Sequence, residues 1–136
     1  MNNRLYRVLD ADVFESYMAM EGWDSFPFLH TQINENGEFR SFMKDFEQYM
    51  IYTEKGSGCL LEAVCIYRIL GDTLVIDYFE INKKIRHQGI GTAVLETLIY
   101  VTGLSKVELD AKDENAAKFW AAMGLKQSDQ QHFTLG

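Results

Sequence analysis

A basic turn carrying two glycines, Ile81 to Thr92, joins two segments of different periodicity. Upstream, Thr73 to Ile81 is a β-branched and aromatic run that predicts a strand. Downstream, Ala93 to Thr102 repeats Val94, Leu95, Leu98 and Ile99 at helical spacing. A strand therefore feeds a glycine turn that opens directly into a helix. The first amides of a helix lack intrahelical partners, and the helix dipole makes that end attractive to an anion. Gly89 and Gly91 let the backbone approach a ligand closely, and Arg86 adds a fixed positive charge with several donors. This is the local chemistry of a pyrophosphate cradle.

The chain around the turn is that of a single domain. Its 136 residues allow a substantial core, and 47% hydrophobic against 24% charged residues is a globular balance. No run approaches the roughly 18 apolar residues of a membrane span. The start, Met1-Asn2-Asn3-Arg4, leads into mixed polar sequence rather than an apolar signal core, so a cytoplasmic protein is expected. A net charge of −7 argues against wide contact with nucleic acid or an anionic membrane, and mildly favours a cationic substrate. Against that acidic background, Lys83, Lys84 and Arg86 stand together at the turn. Cys59 and Cys65, if on one strand, are roughly 20 Å apart and cannot bond to each other. They are expected to be reduced and buried. Neither they nor the scattered His30, His87 and His132 have metal-ligand spacing, so no metal is expected.

In chain order, Leu5 to Leu9 predicts a first strand. Asp10 or Asp12 offers an N-cap for a helix over Val13 to Met20, which Gly22 ends. Trp23 to Glu38 has no clear periodicity, contains the one proline, Pro27, and reads as a loop rich in aromatics. Those aromatics either line a pocket or anchor the loop on the core. Phe39 to Tyr49 has helical spacing. Strands follow near Tyr49 to Glu54, over Cys59 to Leu70 and over Thr73 to Ile81. Gly56-Ser57-Gly58 and Gly71-Asp72 are the hairpin turns between them. After the glycine turn and its helix, Gly103 is a stop. Lys106 to Ala111 predicts a strand with Val107 and Leu109 inward, Glu114 to Met123 a helix, and Gln131 to Leu135 a last strand. The expected fold is α/β (α+β): a mixed, mostly antiparallel sheet of six to seven strands with helices on both faces.

Arg86-His87-Gln88-Gly89-Ile90-Gly91-Thr92 resembles the Arg/Gln-x-x-Gly-x-Gly/Ala acetyl-CoA signature of the GNAT superfamily of N-acetyltransferases. It follows a hydrophobic strand that ends at Ile81, as the family pattern asks. About thirty residues on, Ala116, Phe119, Trp120 and Gly124-Leu125 resemble the family's later helix, written Asn-x-x-Ala-x-x-Phe-Tyr-x-x-x-Gly-Phe. The resemblance covers roughly residues 46 to 125 and reaches the first forty-five by topology alone. It implies acetyl-CoA as cosubstrate and direct acetyl transfer to an amine. Phe79, Glu80 and Ile81 would offer backbone groups to the pantetheine arm. Arg86, His87, Gln88, Gly89, Ile90, Gly91 and Thr92 would hold the pyrophosphate, and Asp113, Asn115 and Ala116 would lie near the cofactor. Two positions depart from the pattern. Asp113 stands where asparagine is usual, with Asn115 nearby. Trp120 stands where the family often has the tyrosine that protonates the leaving thiolate, and an indole is no proton source at neutral pH. Tyr78, Tyr100 or water are the alternatives.

An ammonium must lose a proton before it attacks a thioester, which calls for a carboxylate or a water held by one. Strand alternation groups Val75, Asp77, Phe79 and Ile81 on one face, and Ile76, Tyr78 and Glu80 on the other. Asp77 lies four residues before Ile81, where polyamine-type members of the family carry an acidic residue, and is the first candidate for base or amine-orienting group. Glu80 is the second, because a bulge would change the facing. Asp110 reads as a turn carboxylate and His132 as an ordinary strand position. The expected acceptor is a small-molecule or peptide amine; the alternative is a non-catalytic acetyl-CoA-binding sensor or partner-binding module. A transferase acting on aminoacyl-RNA is disfavoured by charge. The last strand or the aromatics offer routes to a homodimer.

Overall fold

The computed structural model describes residues 3–8, 12, 15–16, 18–19, 23–35, 48–54, 61–85, 89–129 and 131–136. The strands are β1 (Asn3–Val8), β2 (Gln48–Glu54), β3 (Leu61–Leu70), β4 (Thr73–Ile81), β5 (Lys106–Asp110), β6 (Lys126–Gln127) and β7 (His132–Leu135). They form one mixed sheet in the order β1-β2-β3-β4-β5-β7-β6. Its one parallel neighbour pair is β4 with β5; the others are antiparallel. The helices are α1 (Pro27–Glu35), α2 (Ile90–Thr102) and α3 (Glu114–Ala122), and Asp12, Glu15, Ser16, Met18 and Ala19 are also helical. None of the described helices is long and apolar enough to cross a membrane.

Leu61 to Tyr67 of β3 is buried at every position, which a strand achieves only when both sheet faces are covered. On one face, α2 and α3 bring Leu95, Leu98 and Trp120 against Cys65, Tyr67, Leu74, Ile76, Val107, Leu109 and Phe133. On the other, α1 meets β4, where Tyr78 and Glu80 reach its residues Gln32, Phe28 and Leu29. Gly71 (φ 63°) turns β3 into β4, and Gly103 (φ 72°) ends α2 in the left-handed conformation.

Two expectations change. The segment Trp23 to Glu38 reads as a loop, yet it contains a short 3-10 turn, Trp23–Ser25, and then α1. Pro27 occupies the first helical position, where its missing N–H is no loss. The amides of Phe28 and Leu29 donate to the two carboxylate oxygens of Glu80, at 2.9 and 2.7 Å. The cap therefore comes from about fifty residues away, where no local signature can show it. Phe26, Leu29 and Ile33 are buried, but three apolar positions in a polar segment do not stand out as a pattern. The expected helix at Phe39 to Tyr49 and the Gly56-Ser57-Gly58 hairpin lie largely or wholly outside the described residues.

The second change is in facing. Ile66 pairs with Tyr78 and Tyr67 with Ile76, so Asp77 is an extra residue on β4, a β-bulge. Simple alternation sets Ile76 and Phe79 on opposite faces. Both in fact pack against the α2–α3 core, and Tyr78 and Glu80 face α1. A single inserted residue resets the alternation at the point where β4 leaves β5.

Candidate active site

The parallel pairing of β4 and β5 runs from Thr73↔Lys106 to Ile76↔Leu109 and stops, while β4 continues to Ile81. The bulge at Asp77 bends β4, and β5 ends at Asp110 to turn into α3. On its β5 side, β4 from Asp77 to Ile81 thus has no strand beside it among the described residues, and a fork opens. That fork is part of a cleft of about 980 Å³. Its wall includes Asp77, Phe79, Glu80, Ile81, Gly89, Ile90, Gly91, Thr92, Asp113, Asn115, Ala116 and Trp120. Among the described residues these are all the positions expected to hold the cofactor, together with both candidate carboxylates. Arg86, His87 and Gln88 lie outside the described residues.

The two glycines do different work. Gly89 is the N-cap residue of α2 with φ 76°, a left-handed conformation that other residues enter at a cost of about 1–2 kcal/mol. The glycine N-cap supplies no side-chain cap, and Gly89 to Thr92 at the helix start line the cleft. Gly91 is buried, and a Cβ there would stand 2.6 Å from Cζ of Phe119. The packing of α3 against this position is by itself a reason for glycine here. Asn82, fully buried and not singled out from sequence, fixes the approach to the turn. Its amide nitrogen donates to Leu61 O at 2.9 Å, and its carbonyl accepts from the Lys84 amide at 2.9 Å. Asparagine at a strand end ahead of a turn is the signal that could have found it.

Trp120 is 4% exposed and meets Phe79 and Phe119 edge-on at 5.1 and 4.8 Å. It floors the cleft as part of an aromatic cluster. Asp113 caps α3, accepting from the Ala116 amide at 2.8 Å, a task that asparagine performs equally well. The substitution of the usual asparagine therefore preserves the helix start.

Beyond the bulge, the cleft is built from side chains. Asp77 accepts two hydrogen bonds from Arg68, Nε at 2.9 Å and Nη2 at 3.0 Å. The carboxylate is a bidentate ion pair, 16% exposed, and its remaining lone pairs are open to a further donor. The Tyr78 hydroxyl donates to Gln32 Oε1 at 3.4 Å, and its ring lies 5.9 Å from that of Phe28. Phe28 lines the cleft whereas Phe26 is buried, so the aromatics of the segment divide between the two expected roles. Lys112 sets its ammonium 4.6 Å from the Phe28 ring centre. Tyr100 is 87% exposed on α2 and is not part of the cleft wall, which leaves Tyr78 as the phenol within it.

A smaller cavity of about 290 Å³ adjoins, sharing Ile76, Asp77, Leu109 and Asp110 with the main cleft. On its wall His132 is bracketed by Asp110 (Nδ1 to Oδ1, 2.8 Å) and Glu108 (Nε2 to Oε1, 3.0 Å). The hydrogen bond to Asp110, together with the charges of both carboxylates, raises the His132 pKa above its ordinary value. The strand pairing Asp110↔His132 brings these groups together, an arrangement that reading them one by one does not reveal. Cys65 is buried under the sheet, and burial, with the nearby charge of Asp77, pushes its thiol pKa far upward. It is an inert core thiol, as expected; Cys59 lies outside the described residues.

The same fold occurs in solved proteins. The E. coli protein YhhK, described as an N-acetyltransferase and bound to coenzyme A, superposes with a TM-score of 0.67 at 15% identity over 100% of both chains. The ribosomal-protein-S18-alanine N-acetyltransferase of Escherichia coli gives 0.57 at 17% identity, covering 98% of this chain and 90% of its own. AtaT, complexed with acetyl-methionyl-tRNAfMet, gives 0.65 at 10% identity, covering 98% of this chain and 94% of its own. At such identities the likeness is one of fold. No curated protein sequence matches significantly. The sequence itself matches the model of the Acetyltransferase (GNAT) family over residues 10–125, a span that takes in the fork, the glycine turn and the aromatic floor, and the chain belongs to that family.

Proposed function

We propose that this protein transfers an acetyl group from acetyl-CoA to a primary amine of a small molecule or peptide, by direct attack within a ternary complex. The observation that carries the reading is the fork between β4 and β5, continuous with the uncapped amides at the start of α2. The residues present fit such a cosubstrate. Phe79 to Ile81 line the cleft where an amide-bearing arm would lie, Gly89 to Thr92 where a diphosphate would lie, and Asn115 and Ala116 beside the part of the ligand beyond the fork. Acetyl-CoA supplies an activated acyl group whose thiolate, with a pKa near 8.5, is a tolerable leaving group even without a strong acid.

Asp77 is the residue we assign to the acceptor. With Arg68 occupying one lone pair of each oxygen, it is placed to orient the amine and pass its proton to water. Glu80, with both oxygens engaged by the amides of α1, holds the acceptor wall against β4. Tyr78 or water protonates the departing thiolate, since Trp120 cannot.

A second reading, a cofactor-binding module without turnover, is favoured by Trp120 in the position of the family acid. The two part on one experiment. Acetyl-CoA at about a hundred times its Kd should stabilise the fold by about 2.7 kcal/mol, read as a rise in Tm. Thiol release is then measured across a panel of polyamines, peptide amines and an aminoacyl-tRNA, with Asp77→Asn as control. Turnover with an amine, reduced about a hundredfold in the variant, supports the enzyme reading. A Tm rise with no turnover leaves the binding module, and turnover with the aminoacyl-tRNA alone replaces the proposed acceptor class. Without any Tm rise both readings fail.

A further inference from the structure

The acceptor half of the cleft already contains a primary amine. The parallel pairing ends at Ile76↔Leu109, and the chain runs on from β5 through Asp110 and Ala111 to Lys112, with Asp110 and Lys112 both on the cleft wall. The Ala111 amide donates to Gln131 O at 2.7 Å, which ties the chain at this point to the strand side of the fork. From there Lys112 lines the cleft and extends to the opposite wall, where its ammonium sits 4.6 Å from the ring centre of Phe28. Phe28 is in turn held in place by the bond from its own amide to Glu80. A tethered amine of the right chemical class thus lies in the same cleft as Asp77, the residue assigned to the acceptor.

We propose that Lys112 is an intramolecular acetyl acceptor, so that the protein acetylates itself at this position. The idea rests on the acetyl-CoA reading above. Neutral Nζ attacks the thioester carbonyl carbon; the N–C bond forms and the C–S bond breaks. The ammonium gives one proton to water before the attack, and coenzyme A leaves as a thiolate that takes up, directly or through water, the second proton shed by nitrogen as the amide forms. The product amide carries no charge and loses its attraction for the Phe28 ring, releasing the contact that spans the cleft. Of the other lysines near the site, Lys118 lines the cleft from α3, and Lys83 and Lys84 are exposed beside the glycine turn.

The test uses the full chain with acetyl-CoA at about pH 8.5, where more lysine is neutral than at pH 7, and no added acceptor. Peptide-mapping mass spectrometry follows acetylation over time, with and without excess coenzyme A, and Tm is read on the same samples. The expected result is one acetyl group at Lys112, formed about tenfold or more faster than at Lys83, Lys84 or Lys118, because a tethered amine has a high effective concentration. Its rate constant is independent of protein concentration, and coenzyme A suppresses it. In Lys112→Arg the label disappears while the acetyl-CoA-induced rise in Tm persists. A Tm rise with labelling no faster at Lys112 than at Lys83 and Lys84 overturns the proposal and leaves acetyl-CoA binding intact. A rate proportional to protein concentration overturns the intramolecular route. No Tm rise and no label overturn both readings together.

Discussion

The two halves of the cleft are made of different material. The half proposed for the cofactor is mostly backbone: the edge of β4 facing the fork, the left-handed Gly89 and the first turn of α2. The half proposed for the acceptor is mostly side chains drawn from three elements: Asp77 and Tyr78 of β4 with Phe28 of α1, held by Arg68 of β3 and Gln32 of α1. A backbone site needs little from the sequence beyond glycine where the dihedral or the packing demands it. A side-chain site needs several distant residues to arrive together. The first can therefore be shared by many proteins of a fold while the second varies, which fits neighbours of this fold whose names or complexes point to different acceptors.

Trp120 underlies both halves, so removing it should blur the distinction. Trp120→Ala is expected to cost about 3–5 kcal/mol, measured by urea denaturation, because a large buried ring leaves a cavity beneath Phe79 and Phe119. A loss under about 1 kcal/mol would mean that the cluster closes over the gap.

Glu80 sharpens the acceptor side. In Glu80→Gln one α1 amide faces an NH2 group instead of an oxygen, and a buried donor is left without its acceptor. The expected cost is about 2 kcal/mol. Amide hydrogen exchange should speed up selectively in Pro27–Glu35 and leave Ile90–Thr102 unchanged.

Gly91 does the same for the cofactor side. Gly91→Ala should destabilise by about 1–2 kcal/mol, since Phe119 is wedged between Phe79 and Trp120 and cannot swing clear of the new methyl. In a Phe119→Leu background the same change should become neutral or stabilising by up to about 1 kcal/mol, because alanine outranks glycine in a helix. A cost that persists there would point to close backbone approach of a ligand or strand instead of packing.

The smallest effect is at His132. Its folded pKa is raised by Asp110 and Glu108, so the stabilisation is complete below the unfolded value of about 6.5 and fades as pH rises through the folded value. Partial exposure keeps it under about 1 kcal/mol. Stability curves of the wild type and His132→Gln should therefore converge from pH 6 toward alkaline pH, by roughly that amount. Parallel curves would show that the two carboxylates do not act on this ring.

How legible each part was follows the same division. The strand, glycine turn and helix from Thr73 to Thr102 could be read because their signals are local: β-branched run, two glycines, apolar residues at helical spacing. The α1 helix could not, because its cap is a carboxylate on β4 and its apolar face has three residues. The facing of Asp77 could not either. A bulge is a property of a strand pair, and alternation within one strand carries no record of its partner's register.

The sequence by itself determined that a strand would lead through a glycine turn into an uncapped helix start, and that the protein would be built as a GNAT domain. The first follows from dihedral preference and periodicity, which act over a few residues, and the second from motifs at Arg86 to Thr92 and Ala116 to Leu125. Only the tertiary structure decided that Gly91 answers to Phe119, that Glu80 serves α1, that Asp77 is paired with Arg68, and that Lys112 reaches Phe28 across the cleft. Each is a contact between residues at least nine apart in the chain, selected by packing and charge pairing once the sheet has set its register.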